Sequence, residues 1–262
     1  MNTALHHGAF SWSELMTSDP KAALEFYTGI LPWDGHTADM PTGPYYMGML
    51  GERPVAGMMA LPEGNIPTAW GFYVTVDSVD EALAKAESLG AKRVMDPIDV
   101  PTVGRLCGFI DPQGAFVNII TYEPMENPDP DNPAFVEGFT TPGLFSWYAL
   151  QTPDVEAAKA FYQSVFGWSY RVDDMPTGPY TSLQVGDVGM GGITPPMAEG
   201  VPPHWSAYIT VDDTDATVAA AKEAGGSVIA GPFDIPTVGR MAAIQDPTGG
   251  IVNVVKYVPM PQ

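Results

Sequence analysis

The pattern of apolar and polar positions predicts a strand followed by a helix near the start of the chain. Residues 10–17 alternate between apolar and polar, as expected for a strand with one buried face. Asp19 and Pro20 then form a helix-start signal, and apolar residues recur at helical spacing as far as Ile30. Shorter strand-like segments follow at 45–50 and 54–61. Together these elements predict one β-α-β-type unit.

The same order of elements then occurs a second time. Residues 70–76 have the composition of a strand, and residues 79–89 form an amphipathic helix pattern that Gly90 ends. Three more strands are predicted at 92–95, 105–110 and 115–122. The last two are separated by Asp111-Pro112-Gln113-Gly114, whose composition is typical of a tight turn. Two βαβββ units are therefore expected in this half of the chain.

The second half of the chain repeats the first at a constant spacing and without gaps. The repeated segments are Phe10-Ser11-Trp12 and Phe145-Ser146-Trp147, Phe26-Tyr27 and Phe161-Tyr162, Asp39 to Tyr45 and Asp174 to Tyr180, and Pro101 to Arg105 and Pro236 to Arg240. Such self-similarity indicates a duplicated domain. We expect an α+β fold of four tandem βαβββ units, with domains at 1–123 and 143–262 and a Pro-rich linker at 124–142.

Composition narrows the classes of partner. The net charge of -20 repels phosphate backbones and anionic lipids, and the chain has no long apolar run. We therefore expect no nucleic acid and no membrane, but a small-molecule ligand, a cytoplasmic location, and a monomer that is a pseudo-dimer of domains or a homodimer. The single cysteine excludes an internal disulfide. Phosphate-loop, dinucleotide-binding and serine-hydrolase motifs are absent from the sequence.

The ordered set of motifs resembles the vicinal oxygen chelate superfamily. The resemblance depends on Phe26-Tyr27 in the first helix, Val76-Asp77 before the second, and an Asp-Pro-x-Gly turn before the last strand, in both copies. That group includes glyoxalase I, extradiol dioxygenases, and fosfomycin and bleomycin resistance proteins. The resemblance implies two half-barrel domains of the glyoxalase and bleomycin-resistance type, each around a cleft that holds a metal or a small molecule.

The metal-ligand positions implied by this resemblance lack the usual ligands. They correspond to Trp12, Gly71 and Asn118 in the first copy, and to Trp147, Ser206 and Asn253 in the second. Divalent first-row metals need carboxylate, imidazole or thiolate donors. We therefore predict no cofactor, with a divalent metal left open.

Two residues are candidates for catalysis because only one copy carries each. Glu14 corresponds to Ala149, and His204 corresponds to Ala69. A half-buried carboxylate beside Trp12 is suited to act as a general base, and histidine is the usual proton shuttle at neutral pH. The structural alternatives are an ion pair of Glu14 with Arg105 and a surface position for His204.

The remaining candidates would bind a ligand. They are Trp12, Tyr73, Arg105, Asn118, Trp147, Ser206, Tyr208, Arg240 and Asn253. The indoles are suited to stack on a flat ligand, or they fill the space of a metal. The guanidiniums are suited to bind a carboxylate, or they brace the loops of Asp99 and Asp234 through ion pairs.

Three functions remain open on these residues. The first is a metal-free, glyoxalase-like protein that binds a small aromatic or carbonyl-bearing molecule. The second is a lyase, isomerase or hydroxylase-type enzyme that uses Glu14 and His204, either without a metal or with one bound in an atypical way. The third is a resistance protein that sequesters a cationic drug by its acidic surface.

Overall fold

The computed structural model describes residues 6–40, 43–62, 66–124, 137–175 and 178–259. The strands of the first copy are β1 (Phe10–Thr17), β2 (Asp34–Met40), β3 (Gly43–Leu50), β4 (Arg53–Ala60), β5 (Ala69–Thr75), β6 (Lys92–Val100), β7 (Gly104–Ile110) and β8 (Phe116–Tyr122). Its helices are α1 (Pro20–Ile30) and α2 (Val79–Ser88). This order is the one expected for two βαβββ units.

The second copy repeats the same elements. Its strands are β9 (Phe145–Gln151), β10 (Ser169–Met175), β11 (Gly178–Val185), β12 (Val188–Thr194), β13 (His204–Thr210), β14 (Ser227–Ile235), β15 (Gly239–Gln245) and β16 (Ile251–Tyr257). Its helices are α3 (Val155–Phe166) and α4 (Thr214–Glu223). The predicted α+β class with four tandem units is confirmed.

Each copy forms one eight-stranded sheet. The order is β2-β3-β4-β1-β5-β8-β7-β6 in the first sheet and β10-β11-β12-β9-β13-β16-β15-β14 in the second. The pairs β1/β4 and β5/β8 are parallel, and β2/β3, β3/β4, β6/β7 and β7/β8 are antiparallel. The first strands of the two units therefore lie next to each other in the middle of the sheet, where the candidate residues of β1 and β5 are found.

The local signals read from the sequence act as expected at the first helix. The Asp19 carboxylate accepts the N–H of Ala22 at 3.0 Å, and Pro20 occupies the first helical turn. β1 has the predicted bounds. The edge strand β2 had no separate sequence signal, because its side chains are almost all exposed and carry no apolar alternation.

Contacts group the chain into two compact units, and neither coincides with one copy. One comprises residues 1–11, 72–135 and 147–205, and the other comprises residues 12–71, 136–146 and 206–262. The domain boundaries drawn from the repeat stay a prediction. Residues 125–136 of the predicted linker lie outside the described residues, whereas Glu137 is held by Arg53 at 3.2 Å.

The unit that contains residues 72–135 joins a helix from each copy. α2 packs against α3. The buried Tyr162 hydroxyl donates to Asp111 at 2.8 Å and accepts the indole N–H of Trp205 at 3.0 Å. Phe10 stacks on Tyr148 with ring centroids 4.0 Å apart. An aromatic core thus encloses a tyrosine-aspartate pair.

The unit that contains residues 12–71 has the equivalent arrangement. α1 packs against α4, and the Tyr27 hydroxyl donates to Asp246 at 2.9 Å while it accepts the indole N–H of Trp70 at 3.1 Å. Burial, followed by the charge of Asp246, raises the pKa of Tyr27 well above its ordinary value. The repeated Phe-Tyr and Asp-Pro-x-Gly motifs therefore stabilise contacts between the copies.

Candidate functional site

A chain of three polar side chains links the strands β1 and β3 in the first copy. The Trp12 indole N–H donates to the Tyr45 hydroxyl oxygen at 3.0 Å, and the Tyr45 O–H donates to Glu14 Oε2 at 2.7 Å. Trp12 and Glu14 are two residues apart on β1, so strand alternation places them on the same face. We call Trp12, Tyr45 and Glu14 the first-copy array.

A glycine makes room for this array. Gly57 lies on β4 opposite Glu14, and a Cβ atom built on it would stand 1.8 Å from the Tyr45 hydroxyl oxygen. That separation is far inside van der Waals contact. Only a residue without a side chain lets the Tyr45 ring cross β4 and reach Glu14.

Glu14 is buried, with 8% of its surface exposed. A buried carboxylate needs hydrogen-bond donors to compensate for lost hydration, and the short bond from Tyr45 supplies one. The sequence offered an ion pair between Glu14 and Arg105 as an alternative. In the structure, Arg105 instead binds Asp80 and Asp99. A carboxylate accepts several hydrogen bonds, so a ligand hydroxyl can share it with Tyr45.

The second copy keeps the tryptophan and the tyrosine. The Trp147 indole N–H donates to the Tyr180 hydroxyl oxygen at 2.8 Å. Gly192 corresponds to Gly57, and a Cβ atom on it would stand 2.1 Å from the Tyr180 hydroxyl oxygen. The position of Glu14 is taken by Ala149, which is opposite Gly192. The two copies therefore share a frame but differ in the carboxylate.

His204 is the first residue of β13 in the second sheet and is half-buried. Its Nδ1 lies 2.9 Å from the carbonyl oxygen of Pro202. Because a carbonyl only accepts, the neutral ring carries its proton on Nδ1 and presents Nε2 as an acceptor. Glu14 belongs to the first sheet. The joint use of His204 and Glu14 stays a prediction.

In each copy, a tyrosine and an asparagine that were predicted to bind a ligand lie opposite each other on neighbouring parallel strands. Tyr73 is opposite Asn118, and Tyr208 is opposite Asn253. Tyr73 and Asn118 are buried, whereas Ser206, Tyr208 and Asn253 are half-buried. The Asn253 amide donates to the Ala207 carbonyl at 3.2 Å, and burial raises the pKa of Tyr208. The two pairs therefore share the same strand register, and they differ in burial.

The two candidate arginines are engaged by acidic side chains. Arg105 contacts both carboxylate oxygens of Asp80, at 2.9 and 3.0 Å, and Asp99 at 3.0 Å. Arg240 contacts Asp215 and Asp234 in the same way. The hydrogen bonds from Arg105 lower the pKa of Asp80, and those from Arg240 lower the pKa of Asp215. The ion pairs with Asp99 and Asp234 that the sequence suggested as an alternative are therefore present.

The residues at the family's metal positions do not fit a divalent first-row metal. Gly71 has no side chain, Trp12 and Trp147 offer only an N–H donor, and Ser206, Asn118 and Asn253 offer neutral oxygens. In the described ranges, no group of three or more His, Cys, Asp or Glu side chains could hold a metal ion.

Sequence reasoning suggested that Tyr45 and Tyr180 line the cleft mouth, but it missed the hydrogen bond from Tyr45 to Glu14 and the role of Gly57. Tyr45, on β3, ends a segment that is repeated in both copies, and Gly57 and Gly192 also coincide in the repeat. A tyrosine and a glycine kept at matching positions were an available signal. The antiparallel pairing of β3 with β4 is the hairpin that Gly51-Glu52-Arg53 suggests in the sequence. The parallel pairing of β4 with β1, which sets Gly57 opposite Glu14, had no sequence signal.

Comparisons with known proteins agree with the fold. The family model described as Glyoxalase/Bleomycin resistance protein/Dioxygenase superfamily matches residues 144–254. The chain is 36% identical over 258 residues to CFP32 of Mycobacterium tuberculosis, which carries the name glyoxylase, with 96% of each chain covered. It is 30% identical over 265 residues to the anthracycline biosynthesis protein DnrV of Streptomyces peucetius, covering 95% of this chain and 93% of DnrV.

A solved structure shows the same fold at low identity. The Mn(II)-bound glyoxalase from Novosphingobium aromaticivorans aligns with a TM-score of 0.61 at 17% identity, covering 95% of this chain and 82% of that one. At that identity the likeness concerns the fold. None of the helices in the described ranges is long and apolar enough to cross a membrane.

Proposed function

Because the chain belongs to the glyoxalase, bleomycin resistance protein and dioxygenase superfamily, we propose that it binds a small hydroxylated aromatic ketone at the first-copy array without a divalent metal. The observation that carries the proposal is the Glu14 carboxylate, buried and hydrogen-bonded by Tyr45 at 2.7 Å. Where the family resemblance implies metal ligands, this copy has an indole, a glycine and an amide.

The polar part of the ligand follows from the chemistry of a carboxylate. An ionised carboxylate only accepts hydrogen bonds, so the ligand must offer a donor such as a hydroxyl group. A charge-assisted bond of this kind in a buried site is stronger than a neutral one. The ligand hydroxyl would thus be fixed next to the Tyr45 hydroxyl.

The aromatic part of the ligand follows from the neighbouring indole. Trp12 is half-buried and lies on the same face of β1 as Glu14. Small-molecule sites are commonly lined by aromatic side chains with a few polar groups that fix orientation. DnrV is named for anthracycline biosynthesis, which supports an aromatic polyketide-like ligand for this chain.

The experiment is a fluorescence and calorimetric titration with alizarin and hydroxyacetophenone. Glu14→Ala makes the first copy like the second, and we expect it to weaken binding by about tenfold or more, since hydrogen bonds to charged groups contribute about 1.5–3 kcal/mol. The matched control is Ala149→Glu, which alters only the second copy and should leave the original affinity unchanged.

Two results would overturn the proposal. The first is unchanged affinity in Glu14→Ala for every ligand that binds. The second is one equivalent of Mn, Fe, Ni or Zn in protein purified without chelator, which would contradict the proposal that the ligand binds without a divalent metal.

A second candidate is an enzyme of the lyase or isomerase type. It is favoured by the same carboxylate, because a buried base can remove a proton from carbon next to a ligand carbonyl. Exchange of that proton for deuterium, followed by NMR, tests it. Loss of exchange in Glu14→Gln and in His204→Ala is expected, and retention in both variants would contradict it.

A further inference from the structure

A pocket lies at the first residues of β3, beside the start of α1. It encloses about 160 Å³. Its lining residues are Asp19, Pro20, Lys21, Gly43, Pro44, Tyr45, Tyr46, Met59 and Ala60. We infer that this pocket binds a single-ring aromatic carboxylate.

The size of the pocket fits one aromatic ring. A cavity of about 150 Å³ lined by apolar side chains is known to hold benzene. The present pocket is slightly larger and open to solvent, so a ring can enter with its substituent directed outward.

The lining is suited to an aromatic ring. The lining includes two tyrosines, two prolines and a methionine. Tyr45 and Tyr46 are consecutive on β3 and point to opposite faces of the sheet, so one tyrosine ring, together with the flat pyrrolidine surfaces, is suited to contact an aromatic ligand. In the second copy the positions of Tyr46 and Met59 are occupied by Thr181 and Thr194. The large side chains that would contact the ring are thus specific to the first copy.

The charge of the pocket differs between the copies at one position. Lys21 corresponds to Glu156, whereas Asp19 corresponds to Asp154. The aspartate is an N-cap in both copies and accepts a backbone N–H of its own helix. The difference in charge therefore depends on Lys21, and a cation beside an aromatic pocket favours an aromatic anion.

Lys21 is available to such an anion. Its partner in the protein is Glu25, at 3.5 Å, and both side chains are mostly exposed. An exposed lysine-glutamate pair one turn apart on a helix is weak, because water screens it and the long side chains lose freedom. A ligand carboxylate held by the pocket can replace Glu25 as the partner of Lys21.

The proposal goes beyond the binding of a ligand at Glu14. Tyr45 belongs to both places, because its hydroxyl contacts Glu14 and the residue also lines the pocket. The pocket does not require the carboxylate of Glu14. Glu14→Ala should therefore keep this second binding site even if it abolishes the first.

The experiment follows backbone amide shifts in the NMR spectrum of the full chain during titration with benzoate, benzyl alcohol and benzylamine. We expect saturable shifts at Lys21, Tyr45, Tyr46 and Ala60, with benzoate binding more tightly than benzyl alcohol and benzylamine more weakly. Lys21→Glu should lower benzoate affinity by about fivefold or more and remove its preference over benzyl alcohol.

Two further variants complete the test. Tyr46→Thr introduces the residue of the second copy and should weaken all three ligands. Glu156→Lys alters only the second copy and should leave the first pocket unchanged. Circular dichroism checks that Lys21→Glu is folded, as an exposed position should be. The inference is overturned if benzoate causes no saturable shift at these residues, if benzylamine binds more tightly, or if Lys21→Glu leaves benzoate affinity unchanged.

Discussion

The first-copy array and its counterpart in the second copy differ in one functional group. Both hold a tryptophan that donates to a tyrosine, and both have a glycine where the tyrosine crosses the neighbouring strand. In the first copy the tyrosine hydroxyl donates to a carboxylate, Glu14, and the second copy has Ala149 at the corresponding position. Duplication therefore preserved the frame in both copies and allowed the chemistry to differ between them.

The aspartates of the two Asp-Pro-x-Gly turns should be equally important for stability, and they give the largest expected effect. Asp111 accepts three backbone N–H groups of its turn and the Tyr162 hydroxyl, and Asp246 likewise accepts bonds from its turn and from Tyr27. We expect Asp111→Ala and Asp246→Ala each to lower the free energy of unfolding by about 3 kcal/mol, measured by urea denaturation. A difference above about 1 kcal/mol between the two losses of unfolding free energy would contradict the equivalence of the two turns.

Substitution of the two glycines distinguishes an effect on stability from an effect on ligand binding. Gly57→Ala and Gly192→Ala each force a tyrosine out of its position, and overpacking of this kind costs about 1–3 kcal/mol. Denaturation should show similar losses for the two variants. Titration with alizarin should show weaker binding in Gly57→Ala alone, because only Tyr45 contacts Glu14. Equal loss of binding in both variants would argue against a single functional copy.

The arginines should have a smaller and purely structural effect. Arg105 and Arg240 are partly exposed and each binds two aspartates. We expect Arg105→Gln and Arg240→Gln to lower the melting temperature slightly and equally, with a smaller difference at high salt. Ligand affinity should stay within about twofold of the wild type. A large loss of affinity in either variant would restore that arginine as a ligand-binding residue.

The smallest effect concerns the pH dependence of stability at Cys107, which corresponds to Ala242. Burial raises the pKa of this thiol to about 12, from an ordinary value of 9.0. Above pH 9.0 the unfolded chain loses this proton and the folded chain keeps it, so stability falls as pH rises towards the folded pKa. Denaturation at several pH values from about 8 to 10, a range around the ordinary thiol pKa, should show that the free energy of unfolding falls less steeply with pH in Cys107→Ala than in the wild type. Parallel curves would contradict it.

Much of the fold was predictable because local physics specifies it. The bounds of β1, the N-cap at Asp19 and the Asp-Pro-x-Gly turns depend on residues close together in sequence. The full length of β6 was not predictable, since it continues past Pro97 to Val100 as an edge strand whose pattern is irregular. An edge strand tolerates proline because one side of it has no ladder partner.

The sequence by itself determined the duplication and the difference between Glu14 and Ala149, because both are comparisons of residue identities at matching positions. The replacement of metal ligands stays a prediction, because the ligand positions come from the family resemblance. Tertiary structure decided which atoms meet. Tyr45 reaches Glu14 only because β4 lies between β3 and β1 with Gly57 opposite Glu14, and Tyr27 reaches Asp246 only because helices of both copies pack in one compact unit. Such contacts join residues far apart in the chain, and no local pattern encodes their distance.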